Sequence, residues 1–154
     1  MANALKDAGV KKGDRVVAYM PNVIETAVAM LGTSSLGAIW ASCGPELGID
    51  GVVDRIGQLE PCILFATDGY IYKGRSYGIL KNLELLSNRL PSLKKVIVLG
   101  YLEKKPKLEN IRNAQLYEDF LSGKEKETDF EQLPPDHPHI VLFSSGVTGK
   151  PKCI

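Results

Sequence analysis

The chain predicts an α/β fold: a partial, mostly parallel sheet flanked by helices. Three observations predict it. Short apolar, β-branched runs recur at residues 15–19, 38–42, 62–66, 95–99 and 139–143. Between them lie stretches that read as helices, at 23–36, 51–59 and 79–90, the last with its leucines on one stripe. The short runs are largely unbroken rather than alternating, as expected of strands covered on both faces.

Residues 2–8 form the end of a helix closed by Gly9, and Lys11, Lys12, Gly13 and Asp14 make the next turn. After the strand 15–19 (RVVAY), Asn22 is placed to cap a helix, with Glu25 three residues on in an Asn version of the capping box. That helix, 23–36, carries apolar or small residues on nearly every face and is expected to be well buried. The strand 38–42 (AIWAS) passes through the irregular CGPELGID into a short helix at 51–59, then the strand 62–66 (CILFA). Tyr70 to Tyr77 alternates around Lys73-Gly74, which predicts a small hairpin. In 79–90, Leu80, Leu83, Leu86 and Leu90 share one stripe; Pro91 and Ser92 end the helix before the strand 95–99 (KVIVL). Residues 101–114 are charged and without period, a surface loop, and 116–121 supply one or two helical turns. The polar, acidic, proline-containing stretch 123–138 is a linker, and the strand 139–143 (HIVLF) runs directly into a glycine-rich loop.

A length of 154 residues is that of one domain and suffices to bury a core. The net charge of +1 gives no reason to expect nucleic acid or an anionic membrane as partner. No apolar run approaches the length of a transmembrane helix, and the first residues have no signal-peptide pattern. Cys43, Cys62 and Cys153 are odd in number and widely spaced, which fits reduced thiols and a cytosolic location better than a disulfide framework.

The glycine-rich loop carries the chemistry. Ser144, Ser145, Gly146, Thr148 and Gly149 offer small side chains, hydroxyls and approachable backbone N–H groups, with Lys150 and Lys152 on either side of Pro151. Such a stretch can make an anion-binding nest for phosphate. A Walker A loop is excluded, because Pro151 follows Gly149-Lys150 and Ser144 stands where its first glycine belongs. A G-x-G-x-x-G turn after a strand is also absent. The same composition serves an ordinary surface loop, and spacing alone leaves both readings open.

Other residues favour structural roles. His137 and His139 bracket Pro138 without further Cys or carboxylate spacing, so they read as loop and strand residues rather than metal ligands. Trp40 reads as core, Asp54 with Arg55 as a surface or structural ion pair, and Lys104, Lys105 and Lys107 as a solvated charge run. Cys43 and Cys62 lack an identifiable base and read as inert thiols.

SSGVTGKPK resembles the phosphate-loop signature of the adenylate-forming enzymes, the superfamily of acyl-CoA synthetases, luciferases and peptide-synthetase adenylation domains. There two small hydroxyl residues precede Gly, Ser/Thr, Thr, Gly, any residue, Pro and Lys. Val147 departs from that pattern and removes one hydroxyl donor. GVKKGDRVVAYMPN, residues 9–22, resembles the first strand and helix start of the same enzymes. Residues 36–75 are similar, more narrowly, to the acetoacetate–CoA ligase subgroup. Trp40, Ser42, Cys43 and Pro45 match its Trp-x-Ser-Cys-x-Pro block, and Gly51, Val52, Asp54, Arg55, Gln58, Glu60 and Pro61 match the following helix and its end. Gly44 and Glu46 stand where Ser and Asp are more usual.

The resemblance implies a two-step ligase: ATP and acetoacetate form an acyl-adenylate and pyrophosphate, and coenzyme A then takes the acyl group. It implies that Ser144, Ser145, Gly146, Thr148, Gly149 and Lys152 hold the β- and γ-phosphates, with Thr148 the stronger candidate for a phosphate or Mg²⁺ contact. ATP, Mg²⁺ and coenzyme A are the nucleotide, metal and co-substrate of the full-length family; acetoacetate is its acyl partner, and no nucleic-acid or membrane partner is implied. By the same resemblance, residues 1–154 are a partial AMP-binding N-terminal domain ending at the phosphate loop, 144–152. The adenine, ribose, acyl and coenzyme A contacts and the catalytic lysine come later in such enzymes, so the expectation is an internal slice that holds no catalytic residue, binds none of these molecules and is inactive by itself. The alternative is a non-catalytic shortened product, inert or acting as an interaction fragment.

Overall fold

Four short runs of β-branched and aliphatic residues, with one three-residue edge segment, Ala-Gln-Leu, give the sheet its strands. In the computed structural model, which describes residues 1–123, 127, 129–144 and 149–154, these are β1 (Arg15–Tyr19), β2 (Ile39–Cys43), β3 (Ile63–Thr67), β6 (Lys95–Leu99) and β7 (Ala114–Leu116). Their spatial order is β2-β1-β3-β6-β7, and every pairing is parallel. A second pair, β4 (Gly69–Tyr72) and β5 (Arg75–Gly78), forms an antiparallel hairpin after β3. A third, β8 (Phe143–Ser144) and β9 (Lys152–Cys153), closes the described chain.

The helices divide between the two faces. On one lie α1 (Ala2–Asp7), α2 (Ile24–Ser35) and α5 (Tyr117–Leu121), against Val16, Ala18, Trp40, Ile63, Phe65 and Ile97. On the other, α3 (Ile49–Ile56) and α4 (Leu80–Arg89) cover Val17, Tyr19, Ala41, Leu64, Ala66, Val96 and Val98. Adjacent residues of one strand thus serve opposite cores, the reason these runs are apolar without a break. Phe65 meets Tyr117 and Phe120 edge-on, with ring centroids 6.4 and 6.0 Å away, and so ties α5 to the middle of the sheet.

Most predicted elements form close to where the sequence places them, and the departures have local causes. Asn22 does not cap α2: the N-cap is Val23, with no side-chain bond, while Thr26 Oγ1 donates to the Pro21 carbonyl. Nor is α2 well buried. Ala29, Gly32 and Thr33 face the core, but Ile24 is 79% and Leu31 63% exposed. The 101–114 segment is more than a surface loop. Its start is held by Asp68, whose carboxylate accepts the backbone N–H groups of Tyr101, Leu102 and Glu103 at 2.7–2.8 Å. Its end is held by Arg112, which donates to the Ser87 and Leu90 carbonyls at the C-terminus of α4. Ala114–Leu116 then adds the edge strand that the sequence reading missed.

The run 139–143 is only partly a strand. Ile140 bridges Trp40 in parallel, Trp40 N–H donates to the His139 carbonyl, and Val141 N–H donates to Trp40. The chain then turns away from the main sheet into β8 and β9.

Candidate functional site

The glycine-rich segment lies in the chain between β8 and β9, which pair as an antiparallel hairpin. Phe143 faces Cys153 and Ser144 faces Lys152, while Leu142 and Ile154 exchange backbone hydrogen bonds at 3.0 and 2.9 Å. Because residues 139–141 run parallel to β2, the hairpin leaves on the carboxyl side of the sheet, where open α/β sheets place their ligands. Of the predicted phosphate contacts, Ser144, Gly149 and Lys152 can be placed. Ser145, Gly146 and Thr148 lie outside the described residues, as does Val147. Gly149 has φ +94°, with open space where a side chain would project. Ser144 is half-buried, directly opposite the exposed Lys152.

The two lysines of the loop differ. Lys150 Nζ lies 3.5 Å from Asp54 Oδ1, and Gln58 Nε2 donates to the Pro151 carbonyl at 2.9 Å. Lys152 has no side-chain partner among the described residues. This corrects the expected pairing of Asp54 with Arg55: Arg55 Nη1 donates to the Gly51 carbonyl one turn back, and Asp54 turns to the loop. Among the described residues of the hairpin, Lys152 carries a cation, and Ser144 opposite it a hydroxyl, with no side-chain partner.

A cleft of about 580 Å³ opens nearby at the carboxyl ends of β1 and β2, under the β4–β5 hairpin. Met20, Asn22, Cys43, Glu46, Tyr70 and Tyr72 line it. Tyr19 Oη, buried behind it, lies 2.9 Å from the Pro45 carbonyl and 2.7 Å from that of Leu47, which fixes the turn after β2. The hairpin bends at Lys73 (φ +48°) and Gly74 (φ +74°), the two positive φ angles of a tight I′ turn. Gly69 is required at its base, since a Cβ there would meet the Tyr77 carbonyl oxygen at 2.5 Å and the Leu102 side chain. Burial pushes the Cys43 thiol up to about 11, so it is protonated and a poor nucleophile near neutral pH. The sequence reading named Asn22 as a cap, Tyr70 as a hairpin residue and Ser42, Cys43 and Pro45 as part of a matching block, but gave none of them a place in a cleft. The signal available was positional: Met20 directly follows β1 and Cys43 ends β2.

Structural roles hold for the other singled-out residues. Trp40 is 3% exposed in the core. One ring nitrogen of His139 lies 2.6 Å from Ser34 Oγ, and one of His137 lies 2.8 Å from the Gly37 carbonyl oxygen, which pins the 129–139 segment to the end of α2. Cys43 and Cys62 are buried and Cys153 is exposed. Among the described residues, no group of three or more His, Cys, Asp or Glu side chains is gathered as for a metal ion. No helix among them is long and apolar enough to cross a membrane.

Comparison with known proteins gives a consistent result. The family described as AMP-binding enzyme matches residues 1–154. An acetoacetyl-CoA synthetase of Macaca fascicularis is 42% identical over 159 residues, covering 99% of this chain and 24% of that protein. A malonamoyl-CoA synthetase of Penicillium aethiopicum is 40% identical over 152 residues, covering 94% of this chain and 21% of that protein. The solved structure of an acetoacetyl-CoA synthetase from Streptomyces lividans superposes with a TM-score of 0.91 at 38% identity, over 99% of this chain and 23% of that one. The chain therefore spans about a quarter of the length of the curated relatives it matches.

Proposed function

The chain belongs to the AMP-binding enzyme family, and from that premise we propose that it supplies the phosphate-loop part of an acid–thiol ligase that joins acetoacetate to coenzyme A. In the first step a carboxylate oxygen of acetoacetate attacks the α-phosphorus of ATP, and the bond to the bridging oxygen breaks to release pyrophosphate. In the second the coenzyme A thiol attacks the acyl carbon, loses its proton, and AMP departs. Negative charge builds on pyrophosphate in the first step, and preorganised donors aimed at that charge lower the barrier. Lys152 and the Ser144 hydroxyl are suited to that role, joined by Ser145, Gly146, Thr148 and Gly149 of the same loop. Mg²⁺ bound to the nucleotide would share the phosphate charge.

The observation that carries this reading is the hairpin geometry: Lys152, without a side-chain partner among the described residues, faces Ser144 at the mouth of a glycine-rich bend. Choice of acetoacetate rests on the 42% identity to a protein of that name, and the 40% identity to a malonamoyl-CoA synthetase fits an acyl choice made largely outside this segment. We further propose that residues 1–154 form part of an AMP-binding N-terminal domain and do not turn over alone, since a single loop offers ATP few contacts.

The test is ATP–pyrophosphate exchange with acetoacetate. The 154 residues by themselves should give background exchange. A chimera in which they replace the matching quarter of an acetoacetyl-CoA synthetase should exchange, and Lys152→Ala in it should lower the rate roughly 10–100-fold, the worth of one charged hydrogen bond. A chimera that folds and exchanges nothing would overturn the reading.

A further inference from the structure

The second arm of the phosphate loop is not left to itself. α3 and the 3-10 turn that follows it, Gly57–Leu59, present Asp54 and Gln58 one helical turn apart, on one face. Both reach the loop. The Asp54 carboxylate lies 3.5 Å from Lys150 Nζ, and the Gln58 amide donates to the Pro151 carbonyl. Gln58 Nε2 also donates to the Asp54 carbonyl oxygen, so the two residues are braced against each other. The contacts fall on consecutive loop residues, immediately before Lys152.

We propose that Asp54 and Gln58 are positioning residues that clamp the outgoing arm of the loop, with Lys150 as the tether and Lys152 as the charge left for phosphate. The division follows from valence and geometry. A lysine opposite a carboxylate is already partly neutralised, whereas one without an acceptor contributes its full charge to an arriving anion. The amide-to-carbonyl bond is indifferent to salt, and the ion pair is not. Two anchors of different chemistry thus hold adjacent residues of one arm, and the proline between the lysines, with its fixed φ, carries that restraint to Lys152. The role assigned to Lys152 rests on the ATP reading above; the clamp itself does not.

Cys153, exposed beside Lys152, offers a native reporter, since Cys43 and Cys62 are buried. A nitroxide on Cys153 of the 154-residue chain should show a slow-motion component. Gln58→Ala and Asp54→Ala should each shift part of it to the fast component, with circular dichroism unchanged. High salt should mobilise the wild-type label and leave Asp54→Ala unmoved, and Asp54→Lys combined with Lys150→Asp should restore the slow component. In the exchanging chimera, Asp54→Ala should raise the KM for ATP about two- to fivefold, the range of an exposed ion pair, and leave that for acetoacetate in place. Line shapes identical in wild type and both single variants would overturn the clamp. Altered line shapes with no exchange by any chimera would keep the clamp and discard the ATP role.

Discussion

Cys43 ends β2 with its thiol 5% exposed, and the loss of solvent there raises its pKa from 9.0 to about 11; Arg55 opposes the rise and Glu46 adds to it. The folded chain therefore holds this proton to higher pH than the unfolded chain does. The stability this contributes is complete below about pH 9 and is lost as pH climbs toward 11. The Tyr117 hydroxyl, pushed up to about 12 by burial, acts in the same direction from pH 10 upward. Urea midpoints should hold level from pH 7 to 9 and fall between 9 and 11, with a shallower fall in Cys43→Ala. A variant whose fall matches the wild type would show that this thiol does not contribute. Of the two departures from the acetoacetate subgroup pattern beside it, Gly44 leaves the space that the Glu46 carboxylate occupies.

Among the elements, the edge formed by β6 and β7 depends on Asp68. Its side chain accepts three consecutive N–H groups, and its backbone links β6 to the start of α4 through Leu99 and Ile79. Asp68→Ala would leave those donors unpaired and should cost roughly 3 kcal/mol in urea denaturation. Loss of hydrogen-exchange protection should begin at Tyr101–Glu103; unchanged protection there would contradict the assignment. Asp68 also marks the limit of what the sequence discloses. The leucine stripe of α4 and the Lys73-Gly74 turn are readable because their causes are local periods and local φ demands. The anchoring of 101–114 is not, because its acceptor lies 33 residues upstream. Nor is β7, three residues that become a strand only because β6 offers an open edge. Likewise composition and spacing left the glycine-rich loop open between a phosphate cradle and a surface loop, and only resemblance favoured the first, while Asp54 and Gln58 became part of its setting only when a segment 93 positions further along folded back.

Across the whole molecule, the apolar residues of α2 that suggested full burial instead form a stripe of Ile24, Val28 and Leu31 on the outside. Ile140 and Leu142, which follow His139, are also exposed, at 40% and 65%. An exposed apolar stripe like that of α2 favours association. Sedimentation equilibrium should show the mass rising with concentration, and Ile24→Lys with Leu31→Lys should return the chain to a monomer while moving stability by only about 0.5 kcal/mol. Equal association by both would rule out this face. The hairpin that bears the phosphate loop is attached to the same margin. It joins the main sheet through the two backbone bonds around Trp40, and it is tied by side chains to the end of α2 and, through Asp54 and Gln58, to α3, beside a five-stranded core buried on both faces. Segments of a protein open with free energies set by their own contacts rather than by the global value. The β8–β9 hairpin thus inherits the opening free energy of this seam and of its few side-chain ties. Its amides should exchange with solvent long before those of β1 or β3, and a ligand that spans loop and sheet would act as a rivet, slowing exchange at Trp40 and Val141 without touching either.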